Sequence, residues 1–493
     1  MTKASLGVAA LACALMFATA RPALSQSAAA DDWREQYAYT LGVQAYIYGF
    51  PYVYMTELRW YQAVATVAPN LPHMAVNHFW NNQVMGEPES QAGGSPNNDT
   101  CYSIAWLDLS KEPVILSVPD LGDRYYTMEI ASFDSDNFAY VGTRTTGTKA
   151  GSYAIVGPSW SGTLPPGVQQ LTPSKTPSAF ILGRTLVRGP NDLPAVRAIM
   201  AQYKLTPLSL WGKPDAKAPE SYDVLKPFDR KTDPLAEWKT MNAAMTENPP
   251  PSRHEVLLKP FAQIGVGPGL DIAGLDPATR RGLQRAAVDG RKLLQTALRQ
   301  GARQKNVNGW NYPPADMGRA GDEDDFIVRS AIQSMWGIVA NDPAEAIYLN
   351  TSNDSEGKPL TGANRYVIHF QNGGLPPVKA FWSMTLYDSR HNLVANPIKR
   401  YSRRPGQAQV QWRWLAGHLR AAHISRPGQR GKLASQSGRR LQPCAACLSA
   451  RHRHSGAEVD AAGSAENKLK DVASSRSCRA WRRCEFRHAK MTQ

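Results

Sequence analysis

The sequence has little cysteine where a folded domain is expected. Residues 1–401 contain only Cys13 and Cys101, and the other four of the six cysteines follow residue 401. Cys13 lies in an N-terminal segment that is expected to be removed, so the mature body cannot form an internal disulfide. A small disulfide-stapled domain is therefore excluded, and the body must rely on its hydrophobic core.

Net charge is also nearly absent before residue 402. The chain carries a formal charge of +15, but residues 402–493 contain 19 Lys+Arg and 5 Asp+Glu, which leaves 37 basic and 36 acidic residues in the body. Because the numbers of basic and acidic residues are nearly equal, the charge gives no indication of a nucleic-acid partner for residues 26–401. The expected partner is a small-molecule ligand, and homo-oligomerisation is left open.

No run of apolar residues is long enough to cross a bilayer. The apolar run at residues 6–18 follows Lys3 and precedes small residues, which is typical of a secretory signal peptide cleaved after Ser25. We therefore expect residues 1–25 to be a signal peptide, no transmembrane segment after it, and a periplasmic or secreted protein.

Established catalytic signatures are missing as well. The sequence contains no Gly-x-Ser-x-Gly elbow, Walker loop, dinucleotide-binding fingerprint or His-Glu-x-x-His motif. No metal site is predicted for the body, the cofactor is left unknown, and the sequence does not decide whether the protein is an enzyme.

Residues 95–147 hold the densest strand signal of the chain. Turn residues separate short segments of alternating or continuous apolar character, which favours an antiparallel sheet within a sandwich. The run 179–187 is expected to be a central strand. The other strands are predicted at 101–108, 113–119, 124–130 and 138–144.

Helical periodicity dominates two other regions. Residues 31–63 predict a helix that kinks or breaks at Gly49-Phe50-Pro51 and packs a stripe of tyrosines in the core. Between residues 190 and 340 the pattern predicts a helical layer against the sheet. It includes a helix at 276–304 with a basic, solvated face and another at 325–340.

Several long motifs resemble known families. SPNNDT, LDLSKEPVILSVPDLGDRYY and NFAYVGTRTTGT are similar to the family named only as domain of unknown function 1254. LPPVKAFWSMTLYDSRHNLVANPIKRYS is similar to domain of unknown function 1214. The resemblance covers roughly residues 38–401. It implies an exported, two-part, mixed α and β protein whose second part is jelly-roll-like.

The expected fold class is α+β, an antiparallel β-sandwich with a jelly-roll-like second part and an inserted helical layer. The predicted divisions are a signal peptide at 1–25, a helix plus β domain at 26–190, the helical layer at 191–340, a truncated β domain at 341–401 and a basic tail at 402–493.

The tail beyond Tyr401 has the composition of a GC-rich gene translated out of frame. It contains no tyrosine and shows no strand or helix periodicity. The favoured hypothesis is a change of reading frame near Ser402, and a disordered basic tail is the first alternative. The second alternative is a zinc module that uses Cys444 and Cys447, with either His452 and His454 or Cys478 and Cys484.

The candidate site lies in the central block. Asp99 and Glu129 are the candidate catalytic residues, because two carboxylates in different environments can act as general acid and base. The structural alternative is a turn stabilised by an ion pair such as Asp99 with Arg124. The candidate substrate-binding residues are Asn97, Asn98, Tyr102, Arg124, Tyr126, His78 and Trp80.

Two functions fit these residues. The first is an exported hydrolase or lyase that acts on a carbohydrate or another small envelope molecule through carboxylate acid/base groups. The second is a non-catalytic periplasmic ligand-binding or envelope-associated protein, in which aromatic rings stack on a ligand.

Overall fold

A computed structural model describes most of residues 32–403. The described ranges are 32–65, 72–90, 95–213, 219, 222–370, 374–397 and 399–403, together with the backbone of four short strands in the tail. The predicted signal peptide and the side chains of the zinc alternative lie outside the described residues.

Six α-helices and nineteen strands occur in the described residues, which confirms the α+β class. The helices are Trp33–Ala63 (α1), Leu193–Met200 (α2), Ala236–Glu247 (α3), Glu255–Ala262 (α4), Pro277–Arg299 (α5) and Phe326–Val328 (α6). The strands up to residue 207 are Trp80–Asn81 (β1), Thr100–Asp108 (β2), Val114–Val118 (β3), Tyr126–Ser132 (β4), Asn137–Gly142 (β5), Gly151–Ile155 (β6), Val168–Gln170 (β7), Ser178–Leu186 (β8) and Lys204–Pro207 (β9). The later strands are Lys305–Val307 (β10), Trp310–Tyr312 (β11), Leu349–Asn350 (β12), Tyr366–His369 (β13), Met384–Asp388 (β14), Ser402–Arg403 (β15), Trp412–Leu415 (β16), His418–Leu419 (β17), Leu441–Ala445 (β18) and Lys490–Thr492 (β19).

The first sheet has the strand order β1-β2-β8-β4-β5, and every neighbouring pair is antiparallel. The predicted central position of β8 is therefore confirmed. One face of this sheet packs on α1 through residues such as Trp106 and Phe180. The other face shares a core with Leu116 and Ile155 of the four-stranded sheet β7-β6-β3-β9. Because both faces are covered, most residues of the central strands are buried.

The helix α1 runs unbroken through Pro51, so of the predicted kink or break the break is wrong and the kink stays a prediction. Proline cannot donate to the carbonyl of Ile47, four residues earlier. The Ser330 hydroxyl donates to that carbonyl instead, and Arg329 donates to the carbonyl of Tyr48. A neighbouring segment thus satisfies the carbonyl that proline leaves without a partner.

The helix predicted at 325–340 takes a different form. α6 continues as a π-helix at Arg329–Ser334, and the chain is irregular from there to residue 348. Ile338 has a φ of 69°, which is rare for a β-branched residue. This irregular segment lies against the first sheet. In proteins generally, π-helical turns and unusual backbone angles often accompany functional sites.

The helix α5 packs along α1 through small residues. A Cβ atom at Gly42 would lie 2.7 Å from the Cβ of Ala286, so the helices can approach this closely only with glycine there. The predicted basic face of α5 is partly neutralised. Arg281 and Arg285 pair with Glu35 of α1 at 2.7 and 2.9 Å.

The later strands form a second set of sheets. β14 lies between β15 and β18, and β13 lies between β16 and β19. The described part of the chain contains no helix that is long and apolar enough to cross a membrane. The finer prediction of a sandwich with a jelly-roll-like second part stays a prediction.

Candidate functional site

A fully buried carboxylate, Glu129, lies near the centre of the first sheet. It stands on β4 beside β8, and Arg184 of β8 donates to its Oε2 at 2.6 Å. The Arg184 guanidinium also lies 5.8 Å from the ring centre of Tyr102 on β2. The register places Tyr102, Arg184 and Thr127 side by side on one face, so the sheet itself aligns the group.

The irregular segment covers this face with amides and a second carboxylate. With its oxygen towards Arg184, the amide of Asn341 accepts from Arg184 Nη1 at 2.9 Å and from the Tyr348 hydroxyl at 3.1 Å. Asp342 accepts from Asn137 Nδ2 at 3.0 Å and from the Tyr140 hydroxyl at 3.1 Å. The carboxylate close to Glu129 is therefore Asp342.

Each carboxylate of this face is paired with one arginine. Arg319 Nε donates to Asp342 Oδ2 at 2.6 Å. Glu345, also buried, accepts from the Tyr125 hydroxyl at 2.7 Å and from Arg144 Nε at 2.5 Å. We call this group of residues the Glu129 cluster: Tyr102, Tyr125, Thr127, Glu129, Asn137, Tyr140, Arg144, Arg184, Arg319, Asn341, Asp342 and Glu345.

Burial raises the pKa of Glu129 above its ordinary value, and the charge of Asp342 adds to the rise. Arg184 opposes this effect, because a neighbouring cation favours the ionised carboxylate. A carboxyl group with a raised pKa holds its proton to a higher pH than an exposed one, which suits a general acid or base. Within the described residues the buried Glu129 Oε1 has no hydrogen-bond partner.

Asp99 does not lie near the Glu129 cluster. The carbonyl of Asp99 accepts from the Val187 amide at 2.9 Å, whereas Glu129 lies opposite Leu182, five residues earlier on β8. The two residues are therefore roughly 17 Å apart along the strand, and β8 separates their strands. Asp99 and Glu129 cannot act on the same atom as an acid and base pair.

Asp99 instead joins the first sheet to the later part of the chain. Its buried carboxylate accepts hydrogen bonds from the Ser383 hydroxyl and, at 2.9 Å, from the Ser402 hydroxyl. The structural alternative of an Asp99–Arg124 pair is also wrong. Arg124 binds Asp192 with two bonds of 2.6 and 2.8 Å and donates to the Leu186 carbonyl.

Replacing Asp99 with alanine is expected to lower the free energy of unfolding by about 1–3 kcal/mol, because two serine hydroxyls lose their acceptor. Urea denaturation measures this loss. Asp108→Ala is the control, since the Asp108 side chain, at the end of β2, accepts hydrogen bonds from the nearby exposed Ser110. An Asp99→Ala protein as stable as the Asp108→Ala protein would contradict the connecting role.

The other predicted binding residues lie in several places. Asn97 donates to Thr100 and Asn98 to the Gly86 carbonyl, so both stabilise the turn before β2. His78 contacts the Val76 carbonyl at 2.9 Å, and Trp80 lies opposite Ile104 in β1. Among these predicted residues, Tyr102 belongs to the Glu129 cluster through its ring contact with Arg184.

Tyr126 is buried on the opposite face of β4, against Tyr203. Burial raises the pKa of Tyr126 to about 12. Within the described residues its hydroxyl makes no hydrogen bond.

Sequence reasoning missed Arg184, Asn341 and Asp342. Arg184 had a signal, since a charged residue inside the apolar run AFILGRTLV must be paired if it is buried. Asn341 and Asp342 lie in the irregular segment, just after the predicted helix at 325–340, and no local pattern connects them to the sheet.

A second buried polar group lies beside the Glu129 cluster. Asp134 and Asp136 occupy the turn between β4 and β5. Lys175 Nζ lies 3.2 Å from Asp136, and Arg329 Nη1 lies 3.5 Å from Asp134. The backbone amide of Gly321 and the side chain of Gln333 donate to Asp136 at 3.1 and 3.0 Å. These contacts fix the irregular segment to the sheet.

Across the described ranges, no group of three or more His, Cys, Asp or Glu side chains is arranged to hold a metal ion. The acidic residues of both buried groups face arginine or lysine instead.

Two solved structures resemble this chain. The VPA0106 protein from Vibrio parahaemolyticus matches with 20% identity and a TM-score of 0.63, over 84% of this chain and 96% of that chain. An uncharacterised protein from Burkholderia cenocepacia matches with 13% identity and a TM-score of 0.35, over 82% and 86% of the two chains. The first likeness shows a shared fold. No functionally curated protein matches the sequence significantly.

Two family matches cover the two β regions. Residues 76–207 match the family described as "Protein of unknown function (DUF1254)", which includes β1 to β9. Residues 345–417 match "Protein of unknown function (DUF1214)", so this match continues past Tyr401, the predicted end of the resemblance. The chain therefore carries a DUF1254 domain at residues 76–207 and a DUF1214 domain at residues 345–417.

Proposed function

We propose that this protein is an exported hydrolase or lyase that acts on a carbohydrate or another small envelope molecule, with Glu129 as its acid/base group. The observation that carries the proposal is the state of Glu129. It is fully buried, its pKa is raised, one oxygen is held by Arg184, and the other has no hydrogen-bond partner within the described residues. Such a carboxyl group is a candidate proton donor in a functional site.

The neighbours of Glu129 support this role. Arg184 holds the carboxyl in one orientation and is itself held by Asn341, so the second oxygen, Oε1, has a fixed direction. Asp342 supplies a second carboxylate in a different environment, ion-paired with Arg319. Two carboxylates in unlike surroundings can divide the acid and base roles.

The proposal includes a β-sandwich in the DUF1254 region. The core shared by the first sheet and the sheet β7-β6-β3-β9 supports two packed layers. Polar chemistry is then confined to the other face of the first sheet, where the irregular segment replaces a regular apolar layer.

Glu129→Gln is expected to lower turnover by about 10²–10⁴-fold, because glutamine keeps the shape and the bond to Arg184 but carries no transferable proton. The assay is a panel of nitrophenyl glycosides for hydrolysis and of uronic-acid oligosaccharides for unsaturated lyase products. Glu112→Gln is the matched control, since Glu112 binds Ser209 at the surface.

A Glu129→Gln protein with the melting temperature of the wild type and its full turnover would refute the proposal. Ligand binding without turnover in the wild type would instead support the alternative function, a non-catalytic periplasmic ligand-binding protein.

A further inference from the structure

Three polar atoms on one face of the first sheet have no hydrogen-bond partner within the described residues. They are Thr127 Oγ1, Glu129 Oε1 and Asn137 Oδ1, and all three residues are at most 1% exposed. Thr127 and Glu129 are two residues apart on β4, and Asn137 begins the neighbouring β5. Buried polar atoms are nearly always satisfied in native proteins, so a cluster of unsatisfied ones indicates a missing partner molecule.

The chemistry of these atoms restricts that partner. Glu129 Oε1 and Asn137 Oδ1 accept hydrogen bonds, and a threonine hydroxyl can do either. The Asn137 amide cannot simply be turned round, because its Nδ2 faces two acceptors that need a donor, the Ala340 carbonyl and the Asp342 carboxylate. A partner must therefore present hydrogen-bond donors to this face.

The charges of the Glu129 cluster restrict the partner further. Glu129, Asp342 and Glu345 are each paired with one arginine, namely Arg184, Arg319 and Arg144. A ligand cation would find every carboxylate already neutralised, and a ligand anion would meet acceptor oxygens. The site therefore favours neither a cationic nor an anionic ligand. It favours a neutral ligand that donates hydrogen bonds.

The geometry points to a neutral polyhydroxylated molecule, a sugar or a cyclic polyol, as the ligand of the Glu129 cluster. Its hydroxyl groups donate to Glu129 Oε1 and Asn137 Oδ1 and bond to Thr127, while the half-buried ring of Tyr102 offers an apolar surface beside Arg184. This inference rests on the proposed function, because it concerns the same site.

The test uses matched sets of probes that differ only in charge. Calorimetric titration compares D-glucose with D-glucuronate and D-glucosamine, the galacto series with its uronate and amine, and myo-inositol. We expect at least one neutral compound to bind and its charged counterparts to bind at least tenfold more weakly. If no neutral probe binds, or if the charged probes bind equally well, the inference is wrong.

The variant Thr127→Val tests where the ligand binds. Because the Thr127 hydroxyl has no partner within the described protein, valine should keep or raise the melting temperature and weaken binding of the neutral probe about tenfold. Thr185→Val is the matched control on the other face of the sheet, where Thr185 contacts the Tyr203 hydroxyl at 2.9 Å. It should lower the melting temperature and leave the affinity unchanged.

An affinity unchanged by Thr127→Val would overturn the placement of the ligand. The two proposals fail separately. Binding of a neutral sugar without turnover would refute the proposed enzymatic activity but support the neutral ligand. Glu129-dependent turnover of charged substrates alone would support the enzymatic activity but refute the neutral ligand.

Discussion

Replacing Arg184 with methionine is expected to lower the free energy of unfolding by about 3–5 kcal/mol at pH 7. The side chain of Arg184 is 8% exposed and that of Glu129 is completely buried. Methionine fills much of the same space but leaves the Glu129 carboxylate without a counter-charge. Burial already raises the pKa of Glu129, so the unpaired group must either bear the desolvation cost or take up a proton.

A double-mutant cycle separates the charge from the packing. Glu129→Gln alone should cost less than Arg184→Met alone, and the double variant should be more stable than Arg184→Met because Glu129 no longer leaves an unpaired buried charge. Urea denaturation at several pH values measures all four proteins. The loss in Arg184→Met should shrink as the pH falls, since Glu129 then becomes neutral. A loss below about 1 kcal/mol that does not change with pH would show that the pair is not a buried ion pair.

The carboxyl group of Asp136 is expected to make the protein less stable as the pH rises from 4 to 7. Burial and the charge of Asp134 raise the pKa of Asp136 from 3.8 to about 6, against the opposing effects of Lys175 and Arg329. Between these two values the folded state binds more protons than the unfolded state, so stability from this group decreases as pH increases. The full effect is about 3 kcal/mol and is complete above the folded pKa.

The measurement compares Asp136→Asn with the wild type across this range. Asparagine cannot ionise, so the stability of Asp136→Asn relative to the wild type should rise by about 3 kcal/mol between pH 4 and pH 7. A constant offset from the lost contact with Lys175 does not affect this slope. The sign control is Asp120→Asn, because Gly122 and Lys149 lower the pKa of the exposed Asp120. The stability of Asp120→Asn relative to the wild type should change in the opposite direction, and this change falls below about pH 4, so the control is measured there. A flat difference for Asp136→Asn between pH 4 and pH 7 would contradict the shifted pKa.

The strands of the DUF1254 region could be predicted closely because their signal is local. Turn residues such as Asp120–Asp123 bound each strand, and apolar residues fill the segments between them. The predicted run 101–108 corresponds to Thr100–Asp108, and 179–187 corresponds to Ser178–Leu186. The helix at 31–63 was also predicted, but its course through Pro51 depends on Ser330, almost three hundred residues away.

The partners of the charged residues could not be predicted, because pairing depends on strand order. Arg124 and Glu129 are neighbours in sequence, yet one binds Asp192 and the other Arg184. The insertion of β8 between β2 and β4 separates Asp99 from Glu129 and brings Arg184 between them. The spacing of residues along the sequence does not reveal that β8 lies between β2 and β4.

The sequence by itself determined the α+β class, the strand pattern of residues 100–186 and the two families, since these follow from local periodicity and contiguous motifs. It also restricted the acid/base candidates to a few carboxylates, Glu129 among them. Only the tertiary structure decided that Glu129 is buried with Arg184, that Asp342 is its neighbour and that Asp99 serves the contact with Ser383 and Ser402. The physical reason is that burial and ion pairing depend on which distant segments the fold places on each face of the sheet.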